Sequence, residues 1–305
     1  MTEVIRSTAE KIRNLQVQGA RNVAIAAVKA IQIQAEQTKA KNKTQFLDEL
    51  KEAQTIFSAS RETEPLMRNA IRWLITQTQN ANTEKVGEIT KLVVSSAKSF
   101  LSDLEDCKEM IAEIGAKRIP DGSVIFTHCH SSTVTQMLIK AKVNGKNFKV
   151  ICSETRPAFQ GRITAKELID FDIETTFIVD SAARTFMKNV DMVIVGADAI
   201  TSEGNVVNKI GSSGIAVLAH EARVPFYVVS ELLKFDPETL QGECEKIEQR
   251  NPSEVWSDAP KKLLVCNPAF DVTPNRYIHG LICEEGIIAP QTIVEVIKRS
   301  YEWLF

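Results

Sequence analysis

Two side chains stand out as candidates for chemistry. Cys129 lies in Thr127-His128-Cys129-His130-Ser131-Ser132-Thr133, and Asp198 in Gly196-Ala197-Asp198-Ala199-Ile200. Each follows a short apolar run that reads as a strand, Ser123-Val124-Ile125-Phe126 and Met192-Val193-Ile194-Val195. The first motif also opens a helix. Free N–H groups and the positive dipole end at a helix N-terminus attract anions and depress a thiol pKa. Ser131, Ser132 and Thr133 add hydroxyl donors at the same mouth. A carboxylate at a strand end can hold a proton and give it up. A thiol, a carboxylate and an anion site together point to proton transfer on an anionic substrate. The bland reading of the first motif is a buried strand-end cysteine with a routine helix cap. A metal site at His128-Cys129-His130 is the weaker alternative. In an extended strand the two imidazoles face one way and the thiol the other. No other cluster has zinc-ligand spacing.

Further donors follow the Asp198 motif and other strands. Asn208-Lys209-Ile210-Gly211-Ser212-Ser213-Gly214 offers fixed polar donors in Asn208 and Lys209, with glycines that let backbone approach a ligand. Lys234, beyond Ser230-Glu231, is either a phosphate counter-charge or a solvated lysine. Arg156, in Glu154-Thr155-Arg156-Pro157, either forks onto an anion or pairs with a local acid. Asp180 and Ser181 read as a plain helix cap.

These residues need a frame. Residues 1–118 carry helical periodicity: Ile5, Ala9, Ile12 and Leu15 share one face, as do Phe46, Leu50, Ala53 and Phe57. Residues 119–305 alternate short β-branched runs with helical stretches, which implies a mostly parallel, Rossmann-like sheet covered on both faces. The fold class is therefore α/β, with an N-terminal helical domain and a C-terminal ligand-binding domain. Six strands are expected, the last at Lys262-Leu263-Leu264-Val265-Cys266. Cys152, Cys266 and Cys283 read as small core hydrophobes. Ligands of such sheets bind beyond the strand C-terminal ends, near a topological switch point.

Composition narrows the function classes. The chain has 305 residues, 37 basic against 39 acidic side chains, and a net charge of −2. It lacks the basic footprint of a nucleic-acid binder. No run approaches the 18 apolar residues of a membrane span. The charged, helical start has no signal-peptide core, so a cytoplasmic location is the default. Six cysteines without a CxxC pair form no disulfide framework.

The order of the motifs resembles the family that unites archaeal ribose 1,5-bisphosphate isomerases, methylthioribose-1-phosphate isomerases and the alpha, beta and delta regulatory subunits of the initiation factor 2 exchange factor. The matching strings are Thr127 to Ser131, Glu154 to Pro157, Val179 to Ala183, Gly196 to Asp198, Asn208 to Gly211 and Asn267 to Pro274. The resemblance is nearest to the isomerases that act on ribose 1,5-bisphosphate. It implies Cys129 as proton acceptor and Asp198 as proton donor in an aldose–ketose isomerisation without a redox cofactor or metal. It further implies that Ser131, Ser132, Thr133, Asn208, Lys209 and Lys234 hold the substrate. Gln18-Gly19-Ala20-Arg21 and Arg61-Glu62-Thr63-Glu64-Pro65 stand where the isomerases carry Arg-Gly-Ala and Arg-Pro-Thr-Ala-Val. Gly19, Ala20, Arg21 and Arg61 are thus expected at a phosphate, with Glu62 and Glu64 bringing negative charge nearby. The C-terminal string Leu281 to Pro290 implies a homodimer or an assembly of dimers. Gln18-Gly19-Ala20-Arg21 is also similar to the alpha regulatory subunit. That implies a second reading: a non-catalytic sensor of a sugar phosphate or nucleotide with a translation-factor partner.

Overall fold

The computed structural model describes residues 3–61 and 63–305. Five helices come first: α1 (Glu3–Arg13), α2 (Ala20–Glu36), α3 (Lys43–Ser58), α4 (Pro65–Gln79) and α5 (Val86–Arg118). Their apolar residues recur every three to four positions, so one stripe of each turns inward. Ile5, Ala9 and Ile12 of α1 are buried, as are Phe46, Leu50, Ala53 and Phe57 of α3. Local chemistry sets the ends. Asn42 caps α3 by accepting the Gln45 N–H at 2.9 Å, and Pro65 occupies the first turn of α4, where its missing N–H costs nothing.

The remainder alternates: β1 (Val124–Thr127), α6 (Ser132–Val143), β2 (Lys149–Ser153), α7 (Gly161–Asp170), β3 (Glu174–Ile178), α8 (Ala183–Met187), β4 (Met192–Val195), β5 (Ala199–Ile200), β6 (Val206–Lys209), α9 (Ser212–Ala222), β7 (Phe226–Val229), β8 (Phe270–Thr273), β9 (Gly280–Cys283), β10 (Gly286–Ile288) and α10 (Ile293–Ser300). Seven strands form one sheet in the order β10-β9-β7-β4-β1-β2-β3. Every neighbouring pair is parallel except the hairpin β9-β10. Val193, Ile194, Phe126 and Val228 are fully buried or nearly so, as strands covered on both faces require. A second, antiparallel sheet joins β5, β6 and β8.

The chain resolves into two compact units whose division falls within α5. The helical unit runs to Asp106 and takes in Leu233–Phe235 and Ile297–Phe305; the sheet unit holds Cys107–Leu232 and Asp236–Val296. Two bonds explain the first excursion: the Asn69 amide of α4 donates to the carbonyls of Leu233 at 2.9 Å and Phe235 at 2.8 Å.

One expected strand is absent. Lys262–Cys266 has no regular structure, Leu264 is 86% exposed and Cys266 is exposed. The sheet position beside β7 goes to β9, with Tyr227 opposite Gly280. A Cβ on Gly280 would lie 2.9 Å from the Ile287 side chain and 3.3 Å from the Tyr227 ring, so that slot needs a glycine. Residues 281–283 then turn directly into β10 and gain a second set of pairings. Cys152 and Cys283 do lie in strands and are buried.

Candidate active site

The sheet order explains why the two chemical motifs meet. From β1 the chain moves outward through β2 and β3, then returns across β1 to β4. The winding direction reverses between β1 and β4, whose pairing sets Phe126 beside Val193. This is the topological switch point, and the carboxyl ends of its strands leave a crevice. Cys129 follows β1, and Asp198 follows β4. The two loops touch: a Cβ on Gly196 would lie 2.8 Å from the Ser131 side chain, so only glycine fits there. Ser131 caps α6, accepting the Val134 N–H at 3.4 Å. Lys209, buried at the end of β6, belongs to the same centre, because its charge acts on the thiol together with that of Asp198.

Burial pushes the Cys129 thiol up to about 12, the Lys209 ammonium pulls it back, and the carboxylates of Asp198 and Asp180 push it further up. The depressed thiol expected from the sequence is thereby overturned. Cys129 lies two residues before the cap of α6, and a helix dipole fades within its first turn. Desolvation is the larger effect. Below a pKa of about 12 the thiolate fraction grows tenfold per pH unit, so iodoacetamide labelling of Cys129, followed by peptide mass spectrometry, is expected to climb without a plateau from about pH 7 to 10. Lys209→Met removes the lowering charge and should slow labelling at every pH. A plateau near pH 9 would contradict the buried thiol.

His128 stitches three segments together. Nε2 lies 2.9 Å from the Ile210 carbonyl, which can only accept, so Nε2 carries the proton. Nδ1, 2.6 Å from the Ser153 hydroxyl, is then the acceptor. Burial holds the imidazole below its ordinary pKa, and Lys209 adds to the effect. Gly211, at φ +104°, packs against this ring, where a Cβ would lie 3.1 Å from Nε2. Nothing local marks Asp271, which lies in the Asn267 to Pro274 string. From β8 its carboxylate accepts the N–H groups of Gly211 at 2.8 Å and Ser213 at 3.0 Å, which caps α9 and fixes the loop after Lys209. Burial raises its pKa and the two N–H donors lower it.

The other expected ligands are placed as follows. Ser131 and Ser132 are half-buried at the mouth of α6. The buried Thr133 hydroxyl donates to Glu231 at 3.1 Å. The Asn208 amide donates to Ser212 Oγ at 2.8 Å, and Lys209 Nζ sits 5.1 Å above the Phe270 ring. Asn208 and Lys209 end β6. Arg156 donates to the Val255 carbonyl at 3.0 Å. Asp180 is not the helix cap expected: it lies within a 3-10 turn, Asp180–Ala182, and its carboxylate instead accepts the N–H groups of Thr155 and Arg156 at 2.8 and 2.7 Å.

The helical unit holds the rest. Gly19 is exposed at φ +83° before α2, and Ala20 is buried. Arg21 donates to the Leu104 carbonyl at 2.7 Å and pairs with Glu105 at 2.6 Å. Arg61 pairs with the fully buried Glu64 at 3.1 Å, so this carboxylate neutralises an arginine. Glu62 lies outside the described residues. Lys234 is buried on the segment that Asn69 straps into this unit. Among the described residues no three His, Cys, Asp or Glu side chains group as metal ligands, and no helix is long and apolar enough to cross a membrane.

Comparison with known proteins agrees with this architecture. The chain is 44% identical to a ribose 1,5-bisphosphate isomerase of Pyrococcus furiosus over 310 residues, covering 97% of this chain and 94% of that one. It superposes on the crystal structure of a Pyrococcus horikoshii translation initiation factor eIF-2B with TM-score 0.82 and 31% identity, over 95% and 98% of the two chains. It superposes on 5-methylthioribose 1-phosphate isomerase of the same organism with TM-score 0.79 and 30% identity, over 96% and 88%. The model of the initiation factor 2 subunit family matches residues 16–290, which span both the helical unit and the switch-point loops. With sequence and fold in agreement over nearly its whole length, the chain belongs to the initiation factor 2 subunit family.

Proposed function

We propose that the chain is a cytoplasmic aldose–ketose isomerase that converts ribose 1,5-bisphosphate to ribulose 1,5-bisphosphate. The observation that carries this reading is the thiol of Cys129 and the carboxylate of Asp198 on the two strands that flank the switch point, under the charge of Lys209. Curated relatives named as isomerases, at 41–44% identity over nearly the whole chain, support catalysis over the sensing role.

The proton balance closes on two groups. Asp198 in its acid form protonates the ring oxygen as the bond from that oxygen to C1 breaks, and the phosphate stays on C1. The Cys129 thiolate takes the C2 proton, and the electron pair forms the C1–C2 double bond of an enol. The C2 hydroxyl then returns its proton to Asp198, Cys129 returns a proton to C1, and a ketone stands at C2. Both residues end as they began, and no electrons leave the sugar. The high thiol pKa keeps Cys129 protonated at rest, so the reactive thiolate has to form during turnover. Passing that proton to Asp198 gives the thiolate and the carboxylic acid together, with no change in the total charge of the two groups.

Ser131, Ser132, Thr133, Asn208 and Lys209 hold the substrate in this reading, with Gly19, Ala20, Arg21, Arg61 and Lys234 as further anion ligands. Arg21 and Arg61 exchange a carboxylate for a phosphate on binding. The active assembly is a homodimer or a set of dimers. Phosphorus NMR of purified protein with ribose 1,5-bisphosphate tests the reading. Resonances of ribulose 1,5-bisphosphate are the expected result. Shifts that report binding without turnover would overturn it in favour of sensing.

A further inference from the structure

Cys129 has φ +69°, the left-handed region that a residue with a Cβ enters only under constraint. Both of its peptide groups are held by threonine hydroxyls. Thr155 Oγ1 accepts the Cys129 N–H at 2.8 Å, and Thr164 Oγ1 donates to the Cys129 carbonyl at 2.9 Å. Thr155 is fully buried and Thr164 nearly so. Each clamp is itself fixed. Thr155 has φ +64°, and the Asp180 carboxylate holds its N–H and that of Arg156. Thr164 sits near the start of α7, which presses against the end of β2: a Cβ on Gly161 would lie 1.8 Å from the Ser153 carbonyl oxygen. The Thr164 hydroxyl proton goes to the Cys129 carbonyl, so His130 Nδ1, 3.1 Å away, is the donor in their contact.

We infer that Thr155 and Thr164 are positioning residues that clamp Cys129 into a strained left-handed elbow and so aim its thiol, with Asp180 backing the clamp. This role rests on the isomerase reading; the elbow itself does not. Their hydroxyls bond the peptide groups of Cys129 rather than a substrate ligand, so each acts through Cys129.

Two measurements separate the claims. Thr155→Val and Thr164→Val keep the side-chain shape and remove the hydroxyl. Each is expected to lower kcat by about 10- to 100-fold, the scale of a misplaced reacting group, with KM within about threefold. Thr155→Ser and Thr164→Ser restore the hydroxyl and should recover kcat to within about threefold of wild type. The second measurement is a melting comparison. Glycine normally lowers stability against alanine. At a strained left-handed position the order inverts, so Cys129→Gly should melt above Cys129→Ala by a few degrees. In a Thr155→Val background, where the elbow can relax, that gap should shrink. If Thr155→Val does not fold, Thr164→Val carries both tests. Cys129→Ala melting at or above Cys129→Gly would overturn the elbow, and undiminished kcat in both valine variants would overturn the positioning role. A wild-type chain that does not isomerise would sink the catalytic reading, while the melting order would still decide the elbow.

Discussion

Cys129→Ser is expected to lower kcat for ribose 1,5-bisphosphate isomerisation by about 10²–10⁴-fold, the usual contribution of a positioned general base. The thiol is already hard to ionise, with burial holding its pKa up to about 12. A serine hydroxyl in that place ionises far less readily and cannot take a carbon-bound proton. The fold should survive, because one sulfur becomes one oxygen on a half-buried loop. The clamps from Thr155 and Thr164 bind only the peptide groups of residue 129 and remain in place. A melting temperature within about 4 °C of wild type, beside a collapsed rate, is the expected pairing. A serine variant with wild-type turnover would remove Cys129 from the chemistry.

Asp198→Asn is expected to produce two opposite effects. Turnover should fall by about 10²–10⁴-fold, because the amide cannot give its proton to the ring oxygen or take one back from C2. The thiol should become more reactive. The Asp198 charge is among those that raise the Cys129 pKa, so its removal lowers that pKa and increases the thiolate fraction at any given pH below it. Iodoacetamide labelling of Cys129 should therefore run faster in Asp198→Asn than in wild type. Misfolding alone would not give a rate loss coupled to ordered, pH-dependent labelling with an unchanged melt. Labelling at the wild-type rate would separate the two residues and dissolve the proposed proton exchange between them. Loss of substrate binding in the same variant would recast Asp198 as a positioning group.

Much of the frame was legible because it is local. Phe46, Leu50, Ala53 and Phe57 recur at helical spacing, and all four are buried on one face of α3. Thr164 to Asp170 and Ile215 to Ala222 read as helices and lie within α7 and α9. The strand runs at 123–126, 148–152, 176–179, 192–195 and 225–229 each locate a strand of the large sheet to within a residue or two. Lys262–Cys266 reads equally well as a strand, yet a run of four apolar residues does not say which slot in a sheet it fills. The small sheet of β5, β6 and β8 left no period to detect, since β5 has two residues and β6 four. Thr155 and Thr164 are ordinary residues in sequence, and only their bonds to Cys129 single them out.

The chain's own order determined that a thiol and a carboxylate each stand at the end of an apolar run, because strand ends and helix starts are written in consecutive residues. Tertiary structure decided the rest. Strand order, set by packing across the whole sheet, makes β1 and β4 neighbours and so joins the Cys129 and Asp198 loops. Desolvation, which depends on every element around the thiol, reverses the direction of the Cys129 pKa. Pairings over long separations tie Arg21 to Leu104 and bring Lys234 into the helical unit through Asn69. Periodicity speaks for residues three or four apart; burial and pairing bind residues a hundred apart, and these the fold alone assigns.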